Sequence, residues 1–490
     1  MASTPQIAAC LGGLAGSVLL DMLVRPRRSH GWRSGAGLYL LTCQVAALFG
    51  AMLALNGSVG VSVALTLAVV AVLVIASNAK HTMLGEPLVF SDLALIASIF
   101  RHPQFYLSAV PVWQRVAAGA AAIGLLAVIA RLAVADLAAH AVGLVTMLGA
   151  LALLAIGLCV PFRCLAREPR NPEDVARLGL TPTLMLYWLR WRQSRDPEPC
   201  SLAVRHTPRH TSELLVVIQC ESFADPVELF GDAGLALAGL EAARADAWQY
   251  GNLNVSGFGA YTMRTEYAVL FGREEQDLGF RRYDPFLTAL GETSYALPVR
   301  LGASWRSLFI HPHDMRFYGR DAIMPAAGFG ELVGQDRFAA PAPGEGRYVT
   351  DAAMTDAILA LARTAQEPSL LYAVTIENHG PWAPDRASGA GDLRSSYLRL
   401  VRNSDAMLKR LIAGMATLGR PATLVFFGDH RPSIPGATDP AGDRHTPYVI
   451  VRLDSQGRFV RGDNRRVDLT PAGLHHAMLN LVLGEPALNP

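Results

Sequence analysis

Four side chains that commonly bind metal ions or transfer protons come directly after apolar runs in the C-terminal part of the chain. The runs and the side chains that follow them are 214–218 with Glu221, 369–376 with His379, and 423–427 with Asp429 and His430. Continuous apolar runs are typical of buried strands, and ligands of open α/β sheets bind at the carboxyl edge of the strands. Carboxylate, imidazole and hydroxyl oxygen together form a ligand set for a divalent ion such as Mn²⁺, Mg²⁺ or Zn²⁺.

A candidate nucleophile lies between the first and the second of these runs, in the segment 256–266. Gly257 and Gly259 permit the backbone torsions of a tight turn. Thr262 follows them at the point where a turn into a helix would present its oxygen to solvent or to a metal. We therefore interpret this segment as a loop that delivers a reactive hydroxyl.

Three other hydroxyls compete with Thr262 for that role. Ser222 is disfavoured because its neighbour Glu221 is assigned to the metal and successive strand residues point to opposite faces of a sheet. Ser256 precedes the glycines, and Thr265 would lie one helical turn beyond Thr262, further from the strand edge. Thr262 therefore has the best placement of the four.

The elements that must position these groups form an α/β pattern from about residue 213 onward. A fourth strand is predicted at 447–452, and helical periodicity covers 350–366, 395–416 and the segment from about 470. Continuous apolar strands that alternate with amphipathic helices predict a mostly parallel central sheet with helices on both faces.

The composition predicts a membrane portion as well. The chain has 490 residues, of which 51% are hydrophobic and only 17% are charged, which is too apolar for an ordinary soluble enzyme. Five apolar runs are each close to the roughly 20 residues that a helix needs to cross a bilayer, and they cover 6–24, 36–55, 61–78, 116–135 and 141–161. The net charge is only +2, so nothing indicates nucleic acid as a partner.

These patterns divide the chain into three parts. Residues 1–161 are predicted to form a helical membrane domain with about five spans, 162–212 a juxtamembrane linker, and 213–490 the α/β domain. Within the linker, 184–192 mixes aromatic and cationic side chains, which suits a helix lying at the membrane surface. An ordinary amphipathic linker helix explains the same segment equally well.

The orientation in the membrane follows less directly from the charges. The first loop is strongly basic and is typical of a cytoplasmic loop; its cations are Arg25, Arg27, Arg28 and Arg33. With five spans, that assignment would leave the α/β domain in the cytoplasm as well. Two alternatives stay open: large domains translocate largely regardless of charge, or the segment 85–100 enters the membrane.

The motif segments resemble those of the lipoteichoic acid synthase family of membrane phosphoglycerol transferases, within the alkaline phosphatase/sulfatase superfamily. The resemblance covers nearly the whole chain and rests on the segments 78–80, 86–93, 219–223, 260–266, 317–320, 378–382 and 427–430. Two departures stand out. Tyr318 occupies a position where the family has tryptophan, and Ala260 and Tyr261 replace the glycine and lysine before the family's threonine.

The resemblance implies a fold, a reaction and a set of roles. It implies a sulfatase-like domain on the outer side of the cytoplasmic membrane, with Thr262 as nucleophile. It implies a divalent metal, with Mn²⁺ favoured over Mg²⁺ or Zn²⁺, and the metal ligands are Glu221, Thr262, Asp429 and His430. It also implies a site for the head group, which is formed by Tyr318, Arg320 and His379. The implied reaction moves phosphoglycerol from phosphatidylglycerol to a glycan or polyglycerolphosphate acceptor through a phospho-threonine intermediate.

Other activities on the same fold remain as alternatives. A phosphoethanolamine transferase or a phosphodiesterase is one, although such transferases usually carry several disulfides in the outer domain, and here only Cys200 and Cys220 lie near it. A sulfatase with a formylglycine is disfavoured because Cys164 lacks the proline of the required motif. A catalytically inactive lipid-binding scaffold is a third alternative, against which the complete set of reactive residues argues.

Overall fold

The computed structural model describes most of the chain as two compact units, Met1–Ser194 and Arg195–Pro490. The described residues are 4–27, 32–93, a few positions between 116 and 127, 136–200, 213–341, 346–382, 391–463 and 465–483. The division into three parts at 161 and 212 stays a prediction.

The regular elements of the N-terminal unit are all helices in its described residues. Its helices are α1 (Thr4–Met22), α2 (Gly35–Asn56), α3 (Val59–Leu84), α4 (Leu137–Cys159), α5 (Asn171–Leu178) and α6 (Leu180–Gln193). Within this described part, α2, α3 and α4 are long and apolar enough to cross a membrane, and α1 contributes a shorter apolar stretch, Ala8–Met22. The predicted run at 116–135 lies almost wholly outside the described residues, so the count of five spans stays a prediction.

The outer surfaces of α3 and α4 are apolar and exposed. Val72 and Ile75 of α3, and Val145 and Ile156 of α4, all present large hydrophobic side chains to the surroundings. Soluble proteins rarely expose contiguous apolar surface of this kind. The exposed faces therefore agree with the membrane portion that the composition predicts.

One cation of the predicted basic loop is buried rather than exposed. The Nε of Arg33 donates to Oδ2 of Asp21 at 3.0 Å, and its Nη1 donates to the carbonyl oxygens of Val175 and Ala176. Those carbonyls belong to the last turn of α5, where the helix dipole favours a positive charge. Arg33 therefore forms a buried structural ion pair with Asp21, and a count of the charges in the loop does not predict this pairing.

The predicted surface helix lies within α6 and packs on the segment that precedes residue 94. Leu186 and Tyr187 of α6 are buried and Trp188 is exposed, and Trp191 stacks on Phe90 with ring centroids 5.5 Å apart. This helix thus has one packed face. The predicted membrane-entering segment is described only as far as residue 93.

The C-terminal unit contains a mixed, mostly parallel sheet. Its strands in the described residues are β1 (Leu214–Cys220), β2 (Gln249–Leu253), β3 (Arg306–Ile310), β4 (Glu331–Val333), β5 (Ser369–Val374), β6 (Ala422–Gly428) and β7 (Thr446–Leu453). They lie in the order β2-β7-β6-β1-β5-β3-β4. The pairs among β6, β1, β5, β3 and β4 are parallel, and β7 runs antiparallel to both β6 and β2.

Helices surround this sheet. They are α7 (Pro226–Phe230), α8 (Ala238–Asp246), α9 (Thr262–Phe271), α10 (Glu275–Leu278), α11 (Pro285–Thr288), α12 (Leu297–Leu301), α13 (Arg320–Ala326), α14 (Asp351–Thr364), α15 (Leu393–Ala416) and α16 (Pro471–Leu483). Short 3₁₀ turns cover Ala233–Leu235, Gly279–Tyr283, Phe317–Gly319 and Gln335–Arg337.

The central strand β1 is buried on both of its faces. Val216 and Ile218 belong to a core shared with α8, α14 and α15. The intervening Leu215 and Val217 point to the opposite face and are also fully buried. A strand that is covered on both sides explains the continuous apolar run, and the predicted α/β class with a mostly parallel sheet is confirmed.

Candidate functional site

Four neighbouring parallel strands bring their polar residues to one edge of the sheet. Since β6, β1, β5 and β3 are adjacent and parallel, their carboxyl ends meet at that edge. The residues that follow these strands are Asp429 and His430 after β6, Glu221 after β1, His379 after β5 and His311 after β3. The predicted gathering of polar groups at the strand ends therefore exists in the fold.

Glu221, Asp429 and His430 form a buried cluster of possible metal ligands. One ligand atom from each lies within 4.8 Å of the others. The Nε2 of His430 is 3.5 Å from Oε1 of Glu221 and 3.6 Å from Oδ2 of Asp429. Two carboxylates and an imidazole at this spacing match the donor set of a divalent cation.

Hydrogen bonds orient the ligand atoms of Asp429 and His430. Oδ1 of Asp429 accepts from the backbone N–H groups of Ser222 and His430, both at 2.8 Å, while its buried Oδ2 has no hydrogen-bond partner. Nδ1 of His430 lies 3.1 Å from the carbonyl oxygen of Arg431. Because a carbonyl only accepts, Nδ1 carries the proton and Nε2 keeps its lone pair for a cation.

Ser222 fixes the turn that carries Glu221. Its φ of 51° is left-handed, an unfavourable conformation for a residue with a Cβ. The Oγ of Ser222 donates to Oε1 of Glu221 at 2.9 Å, and its carbonyl accepts from Asn378 at 3.4 Å and from Tyr397 at 3.1 Å. The turn is therefore held from several sides, and its strain is concentrated beside the ligand cluster.

The negative charges of the buried cluster favour the binding of a cation. Burial, followed by the charge of Asp429, raises the pKa of Glu221 to about 8. Two buried carboxylates destabilise each other's charged forms unless a positive charge lies between them. The unbonded Oδ2 of Asp429 and this mutual repulsion show that the residues present fit a divalent metal.

Thr262 lies beside this cluster as the first residue of α9. Its Oγ1 is 3.4 Å from Nε2 of His430, and its side chain is nearly buried. The turn before it is left-handed at Gly259 (φ 65°) and at Tyr261 (φ 76°). A Cβ on Gly259 would lie 2.2 Å from Cβ of Ser433, so only glycine fits that position.

The three competing hydroxyls are each bonded to a different group. Thr265 donates to the carbonyl oxygen of Asp429 at 2.7 Å, and Ser256 donates to Glu275. Ser222 lies beyond the strand, in a turn, and its Oγ bonds to Glu221. The strand-alternation argument against Ser222 was therefore wrong, because the left-handed turn puts both side chains on the same side.

Arg320 lies on the β3 side of the sheet edge, fully buried against a carboxylate. Its Nε donates to Oε1 of Glu266 at 2.9 Å and its Nη2 donates to Oε2 at 2.5 Å. Its Nη1 donates to Nε2 of His311 at 3.2 Å, and its guanidinium carbon lies 5.1 Å from the ring centroid of Tyr318. Glu266 is four residues after Thr262 on α9, so this ion pair joins Arg320 to the helix that carries the candidate nucleophile.

Histidines and aromatic rings form a series of ring contacts that starts at His311, beside Arg320. The exposed His379 lies 5.7 Å from Tyr348, and His313 lies 6.1 Å from the same ring. Burial lowers the pKa of His313 to about 4 and that of His311 well below its usual range, so burial favours the neutral form of both rings. The sequence analysis missed Glu266, His311 and His313, although His311 follows β3 as Glu221 follows β1.

Comparisons with known proteins agree with this fold. The family model described as Sulfatase matches residues 213–479. The capsular polysaccharide biosynthesis protein RkpI of Rhizobium meliloti (strain 1021) is 31% identical over 426 residues, which are 82% of this chain and 79% of that protein. A putative cyclic beta-1,2-glucan modification protein of the same organism is 26% identical over 233 residues, covering 45% of this chain and 36% of that protein.

One solved structure resembles the chain along almost its whole length. The integral membrane protein lipooligosaccharide phosphoethanolamine transferase A (EptA) from Neisseria meningitidis covers 98% of this chain and 95% of its own. The TM-score is 0.54 and the sequence identity is 15%, which shows a shared fold.

Proposed function

The chain belongs to the Sulfatase family, and from that premise we propose that it is a membrane phosphotransferase that moves phosphoglycerol from phosphatidylglycerol to an acceptor hydroxyl. The acceptor class is a glycan or polyglycerolphosphate. The observation that carries the proposal is the position of Thr262, whose Oγ1 lies 3.4 Å from His430 within the cluster of Glu221 and Asp429. A hydroxyl at the edge of a buried metal-ligand set is the arrangement of an activated nucleophile.

Glu221, Asp429 and His430, with Oγ1 of Thr262, would hold the divalent cation, with Mn²⁺ favoured over Mg²⁺ and Zn²⁺. When bound, such an ion lowers the pKa of a neighbouring hydroxyl and neutralises charge on phosphoryl oxygens. Oδ1 of Asp429 stays on its two backbone donors, so the aspartate keeps its orientation. The carbonyl of Arg431 likewise keeps the ring of His430 in place.

The residues carry out a two-step displacement. Oγ1 of Thr262 loses its proton and forms a bond to phosphorus, while the bond from phosphorus to the diacylglycerol oxygen breaks and that oxygen takes up a proton. In the second step, the acceptor oxygen loses its proton and forms a bond to phosphorus, while the bond from phosphorus to Oγ1 of Thr262 breaks and Oγ1 takes up a proton. Membrane attachment suits this reaction because the donor lipid stays in the bilayer.

The β3 side of the site would hold the phosphoglycerol head group. Arg320 has five N–H donors, of which Glu266 and His311 use three, so two remain for phosphoryl oxygens. His379 and Tyr318 complete this side, and their positions near Tyr348 and Arg320 support the assignment. A planar guanidinium that is already fixed by a carboxylate binds an anion at a low cost in side-chain entropy.

Transfer of phosphoethanolamine is the second candidate, since the fold of a phosphoethanolamine transferase covers nearly the whole chain. Cys200 and Cys220 are both free thiols. Because phosphoethanolamine transferases usually carry several disulfides in the outer domain, the free thiols favour a phosphoglycerol transferase over a phosphoethanolamine transferase. Incubating the membrane-embedded protein with phosphatidylglycerol and phosphatidylethanolamine, each labelled in the head group, decides between them. We expect diacylglycerol release and label transfer from phosphatidylglycerol; release from phosphatidylethanolamine alone would reverse the assignment.

The nucleophile is tested by trapping the covalent intermediate. After incubation with phosphatidylglycerol, intact-mass measurement should show a phosphoglycerol adduct that peptide mapping places on Thr262. Thr262→Ala should lose turnover almost entirely, whereas Thr265→Val, which removes the neighbouring hydroxyl on the same helix, should cost much less. An adduct on another hydroxyl, or robust transfer by Thr262→Ala, would contradict the assignment.

The proposed site faces the outer side of the membrane. A reporter enzyme fused after residue 200 should be active only outside the cytoplasm. The buried pairing of Arg33 with Asp21 removes one cation from the loop whose charge argued for the opposite orientation. A reporter that is active only in the cytoplasm would rule out this orientation and an acceptor outside the cell membrane.

A further inference from the structure

A polar cavity of about 290 Å³ lies behind the loop that carries the nucleophile. We call it the rear cavity, and its charged and hydroxyl-bearing walls include Ser256, Arg264, Thr265, Glu274, Glu275 and Arg444. Apart from Val255, Ala268 and Pro471, every lining residue has a polar side chain. Such a lining offers many hydrogen-bond donors and acceptors, together with apolar contacts from Val255, Ala268 and Pro471.

The rear cavity shares a wall with the site of Thr262. Ser256 lines the cavity, and a Cβ on the next residue, Gly257, would lie 3.6 Å from Cβ of His430, one of the proposed metal ligands. Thr265 lines the cavity and bonds to the carbonyl of Asp429. Arg264, another lining residue, lies with its guanidinium carbon 3.8 Å from the ring centroid of Tyr261, the residue before Thr262.

The charges of the rear cavity select against a polyanion. Glu274, Glu275 and Asp443 supply three carboxylates, while Arg264 and Arg444 supply two guanidinium groups. An acceptor made of repeated phosphodiesters would bring further negative charge to a lining that has one carboxylate more than it has guanidinium groups and whose imidazole, His445, is already paired with Glu228. A neutral polyhydroxyl ligand carries no such penalty.

The two glutamates of the rear cavity are already oriented. Ser256 donates to Oε1 of Glu275, and Thr470 donates to Oε1 of Glu274 at 2.5 Å. A carboxylate has two oxygens with about four acceptor positions, so each glutamate retains acceptor capacity for a ligand hydroxyl. Saccharide hydroxyls donate to carboxylates and accept from guanidinium groups, which is the combination that this cavity presents.

We propose that the rear cavity is a saccharide subsite that holds a neutral sugar of the acceptor. The proposal rests on the proposed phosphotransfer at Thr262 and chooses a glycan over polyglycerolphosphate among its acceptors. The donor head group occupies the Arg320 side of the sheet edge, while the acceptor glycan is held on the other side of the nucleophile loop. Acceptor binding can then be altered without changing the residues that react with the donor.

The first test is direct binding to the full-length protein in lipid nanodiscs, with a neutral glucose oligosaccharide and a glycerol phosphate oligomer as probes. The variants are Glu274→Gln and Glu275→Gln, which keep the shape of the side chain and an oxygen for Thr470 or Ser256. Each should raise the Kd of the glucose oligosaccharide about tenfold, because a hydrogen bond to a charged group becomes a neutral one. Asp277→Asn, on the same short helix but exposed, is the matched control and should bind like the parent protein.

The second measurement separates this proposal from the reaction itself. Diacylglycerol release from phosphatidylglycerol without acceptor should be unchanged in both variants, while the KM for a saccharide acceptor rises. Asp443→Asn, in an exposed loop, gives the same test without risk to folding. Unchanged oligosaccharide affinity in all three variants, or equally tight binding of the glycerol phosphate oligomer, would overturn the subsite. Absence of diacylglycerol release with intact oligosaccharide binding would instead refute the proposed reaction.

Discussion

The two halves of the sheet edge solve the problem of buried charge in opposite ways. The half formed by β6 and β1 holds Glu221 and Asp429 with a histidine, and Oδ2 of Asp429 is left without a hydrogen bond. The half formed by β5 and β3 holds Arg320, whose charge is matched within the chain by the bidentate Glu266. The first half is incomplete without a cation, whereas the second is neutral on its own.

The two halves are therefore suited to two different ligands, a cation and an anion. A buried acidic cluster gains free energy when a divalent cation binds, so folding and metal binding are coupled there. A preformed ion pair meets the phosphoryl group with fixed donors and needs little reorganisation. In the proposed reaction, one edge of the sheet would bind the metal beside a rigid ion pair that would bind the head group, and Thr262 and Glu266 lie on the single helix α9 between them.

The largest expected effect is on the acidic half. Asp429→Asn keeps an oxygen for the two backbone donors but removes the charge. Loss of a residue that only supports a metal ligand lowers activity about 10- to 100-fold, so loss of a proposed ligand should lower activity more than about a hundredfold. Mn²⁺ should raise the unfolding temperature of the parent protein but not that of the variant. In the presence of a chelator, the variant should be the more stable of the two, because one of two repelling buried carboxylates is gone.

Asp439→Asn serves as the control for that experiment, since Asp439 is exposed in the loop after the cluster and its carboxylate only accepts a local backbone N–H. It should keep both the activity and the stabilisation by Mn²⁺. A parent protein that Mn²⁺ does not stabilise, or a fully active Asp429→Asn, would remove Asp429 from the metal site.

A smaller loss is expected on the neutral half. Glu266→Gln places an amide N–H against Nη2 of Arg320 and leaves a buried cation unmatched, which costs about 3–5 kcal/mol in the free energy of unfolding. We expect kcat/KM for phosphatidylglycerol to fall about 10- to 100-fold, since head-group binding is disturbed. Stabilisation by Mn²⁺ should persist, because Glu221, Asp429 and His430 are unchanged.

Glu331→Gln is a matched control because it also removes a carboxylate partner of an arginine. Glu331 pairs with Arg306 at 2.8 Å, and each side chain is about one-third exposed, at 37% and 35%. Exposed pairs of this kind contribute about 0–1 kcal/mol. If Glu266→Gln behaves like Glu331→Gln, the buried pair does not position the head group, and the contrast between the two halves of the edge fails.

The metal-ligand half could be predicted from the sequence because β1 and β6 are continuous apolar runs that end in reactive side chains. The other half depends on β3, whose five residues begin with Arg306 and Ser307 and do not resemble a buried strand. Glu266 and Arg320 are 54 positions apart, and no local pattern reveals such a pair. The left-handed torsions of Tyr261 and Tyr318 were equally invisible, since these positions are usually glycine or asparagine.

Charge counting in the membrane portion misses a contact for a related reason. The orientation rule treats each lysine or arginine of a loop as a solvated charge. Arg33 is instead buried against Asp21 and the end of α5, a contact that spans more than 140 positions of the chain. Sequence patterns thus identify spans and strands, whereas pairings between distant charged residues require the fold.

A second pair of buried carboxylates gives the smallest expected effect and tests whether buried acids always require a cation. Oε2 of Glu377 accepts from the backbone N–H of Asp351 at 2.7 Å, and Oδ2 of Asp351 accepts from Ser404 at 2.6 Å. Asn403 donates to the other oxygen of Glu377 at 2.8 Å. Burial, followed by the charge of Glu377, raises the pKa of Asp351 to about 7. We therefore expect a proton to relieve the repulsion in this pair, as the metal would do for Glu221 and Asp429.

The sign of the resulting pH dependence follows from that shift. A carboxyl group whose pKa is raised on folding contributes stability below its ordinary pKa near 4, and this contribution is lost as the pH rises through about 7. With Mn²⁺ present throughout, the unfolding temperature of the parent protein should fall between pH 5 and pH 8. Asp351→Asn should fall less over that range, because an amide has no proton to lose and still accepts from Ser404. Asp356→Asn, exposed on the same helix, should follow the parent; an equal slope in Asp351→Asn would show that this pair holds no proton and that its charges are balanced in another way.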